Sequence, residues 1–95
     1  MPATILFTDE GRASLHELDV FVQRRIKRQL KEIARKGTAL RDALRNELTG
    51  YFKCEIGDYR AVYTRPGSQI VVHLVAHRNV IYDRMLAALR RGVAE

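Results

Sequence analysis

From Tyr51 onward apolar and polar residues alternate, whereas the residues before it repeat with a helical period. In YFKCEIGDYRAVYTRPGSQIVVHLVAH (51–77), the turn signals Gly57-Asp58 and Pro66-Gly67 predict two consecutive hairpins. A two-residue loop at Gly57-Asp58 pairs Ile56 with Tyr59, Glu55 with Arg60, Cys54 with Ala61, Lys53 with Val62 and Phe52 with Tyr63. Centring the second loop on Pro66-Gly67 pairs Tyr63 with Ile70, Ala61 with Val72 and Arg60 with His73. Opposed residues share a face of a sheet. One face then collects Phe52, Cys54, Ile56, Tyr59, Ala61, Tyr63, Ile70, Val72, Leu74 and Ala76, with no charge among them. The other collects Lys53, Glu55, Arg60, His73 and His77, interleaved with Val62, Val71 and Val75.

Upstream, Ala3 to Thr8 alternates with Ile5 and Phe7 on one face, a short strand. Thr8 or Asp9 caps a helix that buries Leu15 and Leu18. A second helix starts near Val20, joined to the first at Asp19. Its stripe of Val22, Ile26, Leu30 and Ile33 is apolar, and Gly37 is placed to end it. Leu40, Leu44 and Leu48 fit a short amphipathic turn or an ordered loop. A basic amphipathic tail, Asp83 to Val93, can dock through Met85, Leu86 and Leu89. The expected fold is one α+β domain over 1–95: strand, αα-hairpin, three-stranded antiparallel meander and C-terminal helix. The helices cover the apolar face, and the polar face looks outward.

Charge adds a direction to this picture. Seventeen Lys and Arg stand against eleven Asp and Glu in 95 residues, a net of +6. Residues 20–50 hold nine of the bases and three acids, so they carry the whole excess; the remainder sums to zero. A concentrated basic field suits a polyanion or an acidic protein, or serves as a solvated helix face. No stretch approaches the ~18 apolar residues of a membrane span, and the first residues lack a secretory pattern. The lone Cys54 cannot form an internal disulfide. These features point to a cytoplasmic protein without a membrane or cofactor.

The sequence has no phosphate-binding glycine loop, no Gly-x-Ser-x-Gly elbow and no cysteine pair for zinc. His73 and His77 lie four apart on a strand, about 13 Å at ~3.3 Å per residue, too far to share a metal. Cys54 reads as a small core residue and His16 has no identifiable partner. What remains is chemistry by cations and a phenol: Lys53, Arg60, Arg78 and Tyr82. Arg and Lys stabilise charge that develops on phosphoryl oxygens. Arg cannot act as a general base, which leaves Lys53 for that role where its surroundings favour the neutral amine. Glu55 and Arg60 also fit a cross-strand ion pair without function, beside indifferent surface histidines.

The segments LTGYFKCEIGDYRAVY (48–63) and VVHLVAHRNVIY (71–82) resemble motifs of the RelE/ParE toxin superfamily of type II toxin–antitoxin systems. The shared features are a G-x-W/Y-x-[RK] strand start, a G-D-Y-R-[LVA]-[VI]-Y strand and a closing H-R-x-x-x-Y. The resemblance implies a RelE-like endoribonuclease that cuts mRNA on the ribosome without metal, the ribose 2′-oxygen attacking the adjacent phosphate. It places the catalytic set on Lys53, Arg60, Arg78 and Tyr82. The second strand lysine of the family is Glu55 here, so Glu55 either pairs with Arg60 or serves as general base. Asp42 lies near the acidic base of a related subgroup, and His73 and His77 are accessory candidates. Arg24, Arg25, Arg28, Lys31 and Arg45 are the expected RNA contacts, and the partners are a cognate antitoxin, the ribosome and mRNA. The alternative within the superfamily is a ParE-like gyrase inhibitor that does not cut RNA.

Overall fold

The computed structural model describes residues 2–92. Strand β1 (Thr4–Phe7) ends at Thr8, whose hydroxyl accepts the Gly11 N–H at 2.9 Å and so starts α1 (Asp9–His16). Asp19 does the same for α2 (Val20–Lys36), accepting from the Phe21 N–H at 2.8 Å. The α2 helix closes where the Gly37 N–H donates to Ile33 O at 2.8 Å. Two short 3-10 turns, Leu40–Asp42 and Asn46–Leu48, fill the stretch that fitted either a turn or a loop. Then come β2 (Phe52–Ile56), β3 (Tyr59–Thr64), β4 (Gln69–His77) and α3 (Ile81–Arg90). The expected α+β class and element order hold. The expected end of the last helix at Val93 lies outside the described residues.

The sheet order is β1-β4-β3-β2, with β1 parallel to β4 and the other pairs antiparallel. The chain leaves β1 at one edge and returns as β2 at the other, and α1 and α2 lie along that passage. Leu15, Ile26, Leu30 and Ala34 therefore pack on Cys54, Ile56, Ala61, Tyr63, Ile70, Val72 and Val75. Gly11 lets α1 sit flush on β4, since a Cβ there would run into the carbonyl oxygen of Val72. Ser14 secures the contact: its Oγ accepts the Val75 N–H at 3.0 Å and donates to Gly11 O at 2.9 Å.

The first hairpin has the expected register, from Phe52 opposite Tyr63 to Ile56 opposite Tyr59. Gly57 takes φ 57°, the positive angle that a tight two-residue turn needs at its first position. The second hairpin differs from expectation. Tyr63 faces Val72 instead of Ile70, because the loop around Pro66-Gly67 is longer than a centred two-residue turn. A bulge then inserts one extra residue of β4 at His73, so Val62 faces Leu74 and Arg60 faces Ala76 instead of His73. Beyond a bulge every side chain changes face. Val75 consequently joins the core under α1 and α2, while Leu74 and Ala76 turn to the opposite side.

That opposite side is not the open polar surface expected from the sequence. Val62, Leu74 and Ala76 form a second core there with Leu48, Tyr51, Ile81, Met85 and Ala88. Thus α3 covers the face that α1 and α2 leave bare. No helix among the described residues is long and apolar enough to cross a membrane.

Candidate functional site

At the β2–β3 end of this second face the residues turn ionic. Lys53 and Glu55 are alternate residues of β2 and share a face, with Arg60 directly opposite Glu55. A single carboxylate oxygen joins all three: Glu55 Oε2 lies 3.1 Å from Lys53 Nζ and 3.5 Å from Arg60 Nε. The Arg60 side chain is only 13% exposed, and its Nη1 donates to Gly57 O at 2.9 Å and to Tyr59 O at 2.8 Å. Backbone carbonyls of the turn therefore fix the guanidinium in place before any ligand arrives. The Lys53 hydrogen bond and charge, reinforced by Arg60 and Arg41, hold the Glu55 carboxyl below its usual range. A carboxylate stabilised in this way is a weakened proton acceptor. Its position favours aligning two cations over acting as general base.

The same turn draws in Arg78. Its backbone N–H donates to Asp58 O at 2.8 Å, and its Nε lies 3.9 Å from Asp58 Oδ1. From the helical side Arg25 leans over the turn, close enough that a Cβ on Gly57 would stand 3.2 Å from Nη2. Three guanidinium groups thus meet the Gly57-Asp58 turn, from β3, from the end of β4 and from α2. Arg24, Arg28 and Lys31 stand exposed along α2, while Arg45 is exposed in the loop before Asn46–Leu48. Tyr82 lies in the first turn of α3, half-buried against the second core. Among the described residues it has no hydrogen bond or ion pair to the Lys53–Glu55–Arg60 cluster.

The accessory candidates separate. Asp42 ends the first 3-10 turn and shares with Gln29, Ile33, Arg41, Cys54 and Glu55 a cleft of about 170 Å³ at the β2 edge. It therefore lies beside the ionic cluster. Burial, with the charges of Asp42 and Glu55, pushes the Cys54 thiol up to about 12, so the thiolate is absent near neutrality. His73 is not on an exposed face; it is 3% exposed, with Nε2 2.8 Å from Thr64 Oγ1 and its ring edge-on to Tyr51. Burial lowers its pKa, and Nδ1 has no hydrogen-bond partner among the described residues. His77 stands opposite Tyr59 and meets its ring edge-on at 5.6 Å, away from Arg60. The bulge turns His77 to the side of Tyr59, whereas the longer second loop displaces His73 from Arg60 and the second core buries it. Sequence reading missed Asp58 as the partner of Arg78 and Arg25 as a neighbour of Gly57, although Asp58 stands inside the G-D-Y-R motif. Among the described residues no group of three or more metal-ligating side chains is present.

The sequence model of the ParE toxin of the type II toxin–antitoxin system parDE matches residues 5–82, which include both hairpins and every member of the cluster. The toxin–antitoxin complex RelBE2 of Mycobacterium tuberculosis contains a chain 30% identical, with TM-score 0.72, covering 82% of this chain and 100% of its own. A double mutant of the E. coli toxin RelE in the free state is 20% identical, with TM-score 0.74 and coverage of 95% and 98%. YoeB of Staphylococcus aureus, solved as a dimer, is 24% identical, with TM-score 0.64 and coverage of 81% and 98%. These last two share the fold. No curated protein sequence matches the chain. Family match, fold and the 30% identical relative agree that this chain belongs to the RelE/ParE superfamily of type II toxin–antitoxin toxins, with a RelE-like structure.

Proposed function

We propose that this toxin is a metal-independent endoribonuclease that cuts mRNA in the cytoplasm, on the ribosome, until a cognate antitoxin neutralises it. The observation that carries the reading is the Lys53–Glu55–Arg60 cluster, whose Arg60 is fixed by two carbonyls of the turn that also receives Arg78. Cleavage of this kind joins the ribose 2′-oxygen to phosphorus and breaks the bond to the departing 5′-oxygen. The phosphoryl oxygens gain charge along that path, and a preorganised guanidinium stabilises them without first reorganising. Arg60 and Arg78 hold those oxygens, Lys53 as an ammonium gives a proton to the departing 5′-oxygen, solvent takes the proton that the 2′-hydroxyl loses, and Tyr82 stacks on the substrate from α3. Arg24, Arg25, Arg28, Lys31 and Arg45 attract the phosphate backbone. The antitoxin partner is supported by relatives solved as toxin–antitoxin complexes.

Primer extension on cellular messages after expression of the chain alone tests the proposal. Discrete cuts within translated messages are expected. The family's ParE name favours a second reading, a gyrase inhibitor. Intact messages together with inhibited supercoiling by purified gyrase would establish it.

A further inference from the structure

The head of α2 carries an exposed aromatic ring at the N-terminal end of the basic field, next to the capping Asp19. Phe21 is 70% exposed, although a ring of its size gains more from burial than almost any side chain. Arg24 rests on it, its guanidinium carbon 5.8 Å from the ring centroid. Phe21, Arg24, Arg28 and Lys31 follow one another at helical spacing on the side of α2 opposite the buried Ile26 and Leu30. Farther along, Arg35 and Lys36 are neutralised by Glu32. Among the described residues Arg24, Arg25, Lys27, Arg28 and Lys31 have no carboxylate at ion-pair distance. The unneutralised part of the field thus begins beside the exposed ring, at Arg24.

From the same helix Arg25 reaches the edge of the sheet at the turn that holds Arg60. Arg25, one turn or about 6 Å along the axis from Phe21, lies over Gly57, and Gly57 O accepts from Arg60. We propose that Phe21, backed by Arg24, is a stacking platform for an unpaired nucleobase of the RNA strand whose scissile phosphate is held at Arg60. The inference rests on the ribonuclease reading and adds the kind of RNA the surface takes: single-stranded, with a splayed base. Cations alone bind duplex and single strand through phosphate, whereas an exposed ring adds a contact that only an unstacked base can fill. An acidic protein segment is the competing occupant.

The chain contains no tryptophan, so Phe21→Trp creates a sole indole at the site. A single-stranded RNA with 2′-O-methyl riboses, which has no free 2′-hydroxyl to attack phosphate, is the probe, with an RNA duplex of equal charge as control. Expected is quenching of the indole by the single strand and not by the duplex. Phe21→Ala should bind the single strand about tenfold more weakly, with duplex affinity and the salt slope unchanged. Absence of quenching at saturation, absence of binding, or equal losses on both RNAs would overturn the platform. Because the probe is never cut, failure of the ribonuclease reading registers separately, as intact natural RNA beside a persisting quench.

Discussion

The face of the sheet under α1 and α2 and the face under α3 use the same strands but bury different chemistry. The first is filled by aliphatic side chains and the Tyr63 ring, with Ser14 supplying its polar link to β4. The second begins as a core around Val62, Leu74 and Met85 and ends as the Lys53–Glu55–Arg60 cluster. It also buries His73, whose Nδ1 has no partner among the described residues. A sheet satisfied on one face can carry groups on the other that cost stability, and active sites commonly sit on such groups. On this account, substitutions on the first face reduce stability, while those on the second separate stability from activity.

The largest stability effect should come from the first face. Ile26→Ala, at a fully buried position, should lower unfolding free energy by about 2–5 kcal/mol in urea denaturation. A loss much below that range would mean that this face is not the main core. Gly11→Ala should destabilise by about 1–3 kcal/mol, because its methyl meets Val72 O. The sign is diagnostic: Ala in an unobstructed helix interior improves stability over Gly by up to about 1 kcal/mol.

Those two positions also show how far the sequence could be read. Ile26 belongs to a stripe that periodicity alone identifies, and the β2–β3 register follows from Gly57-Asp58, so Glu55 opposite Arg60 was legible. Gly11 carries no periodic signal, since what it permits is a close approach between elements distant in the chain. The bulge at His73 was hidden for a related reason. Leu74, Val75 and Ala76 are all apolar, so either assignment of faces satisfies the pattern, and only the partner strand decides which residue is left unpaired. That one residue turned His77 away from the face of Arg60 and gave α3 an apolar surface to cover, while the longer second loop carried His73 along the strand from Arg60.

The second face should show its cost in acid. Burial holds the folded-state pKa of His73 below its ordinary 6.5. As pH falls below that value, the unfolded chain takes up a proton that the folded chain resists. The contribution is therefore complete above 6.5 and is lost as pH falls toward the folded value. Urea midpoints measured from about pH 7.5 to 5.5 should decline in the wild type and flatten in His73→Phe. An unchanged slope in the variant would remove His73 as the cause.

A smaller test concerns Cys54, on the first face and close to the second. Its thiol should react with a disulfide reagent only through unfolding, so native labelling is slow and denaturant accelerates it. Rapid native labelling would mean that the β2 edge opens beside Asp42.

The central claim is that Arg60 acts on the reacting phosphate while the α2 cations act on binding. Single-turnover cleavage at saturating toxin separates the two. Arg60→Ala should depress the saturated rate by about 10²–10³, the scale of removing one preorganised donor, with little change in the half-saturating concentration. Combined Arg24→Ala, Arg28→Ala and Lys31→Ala should leave the saturated rate intact, weaken binding and flatten its salt dependence. Wild-type cleavage by saturated Arg60→Ala would contradict the account and leave Arg60 as a residue that only shapes the hairpin.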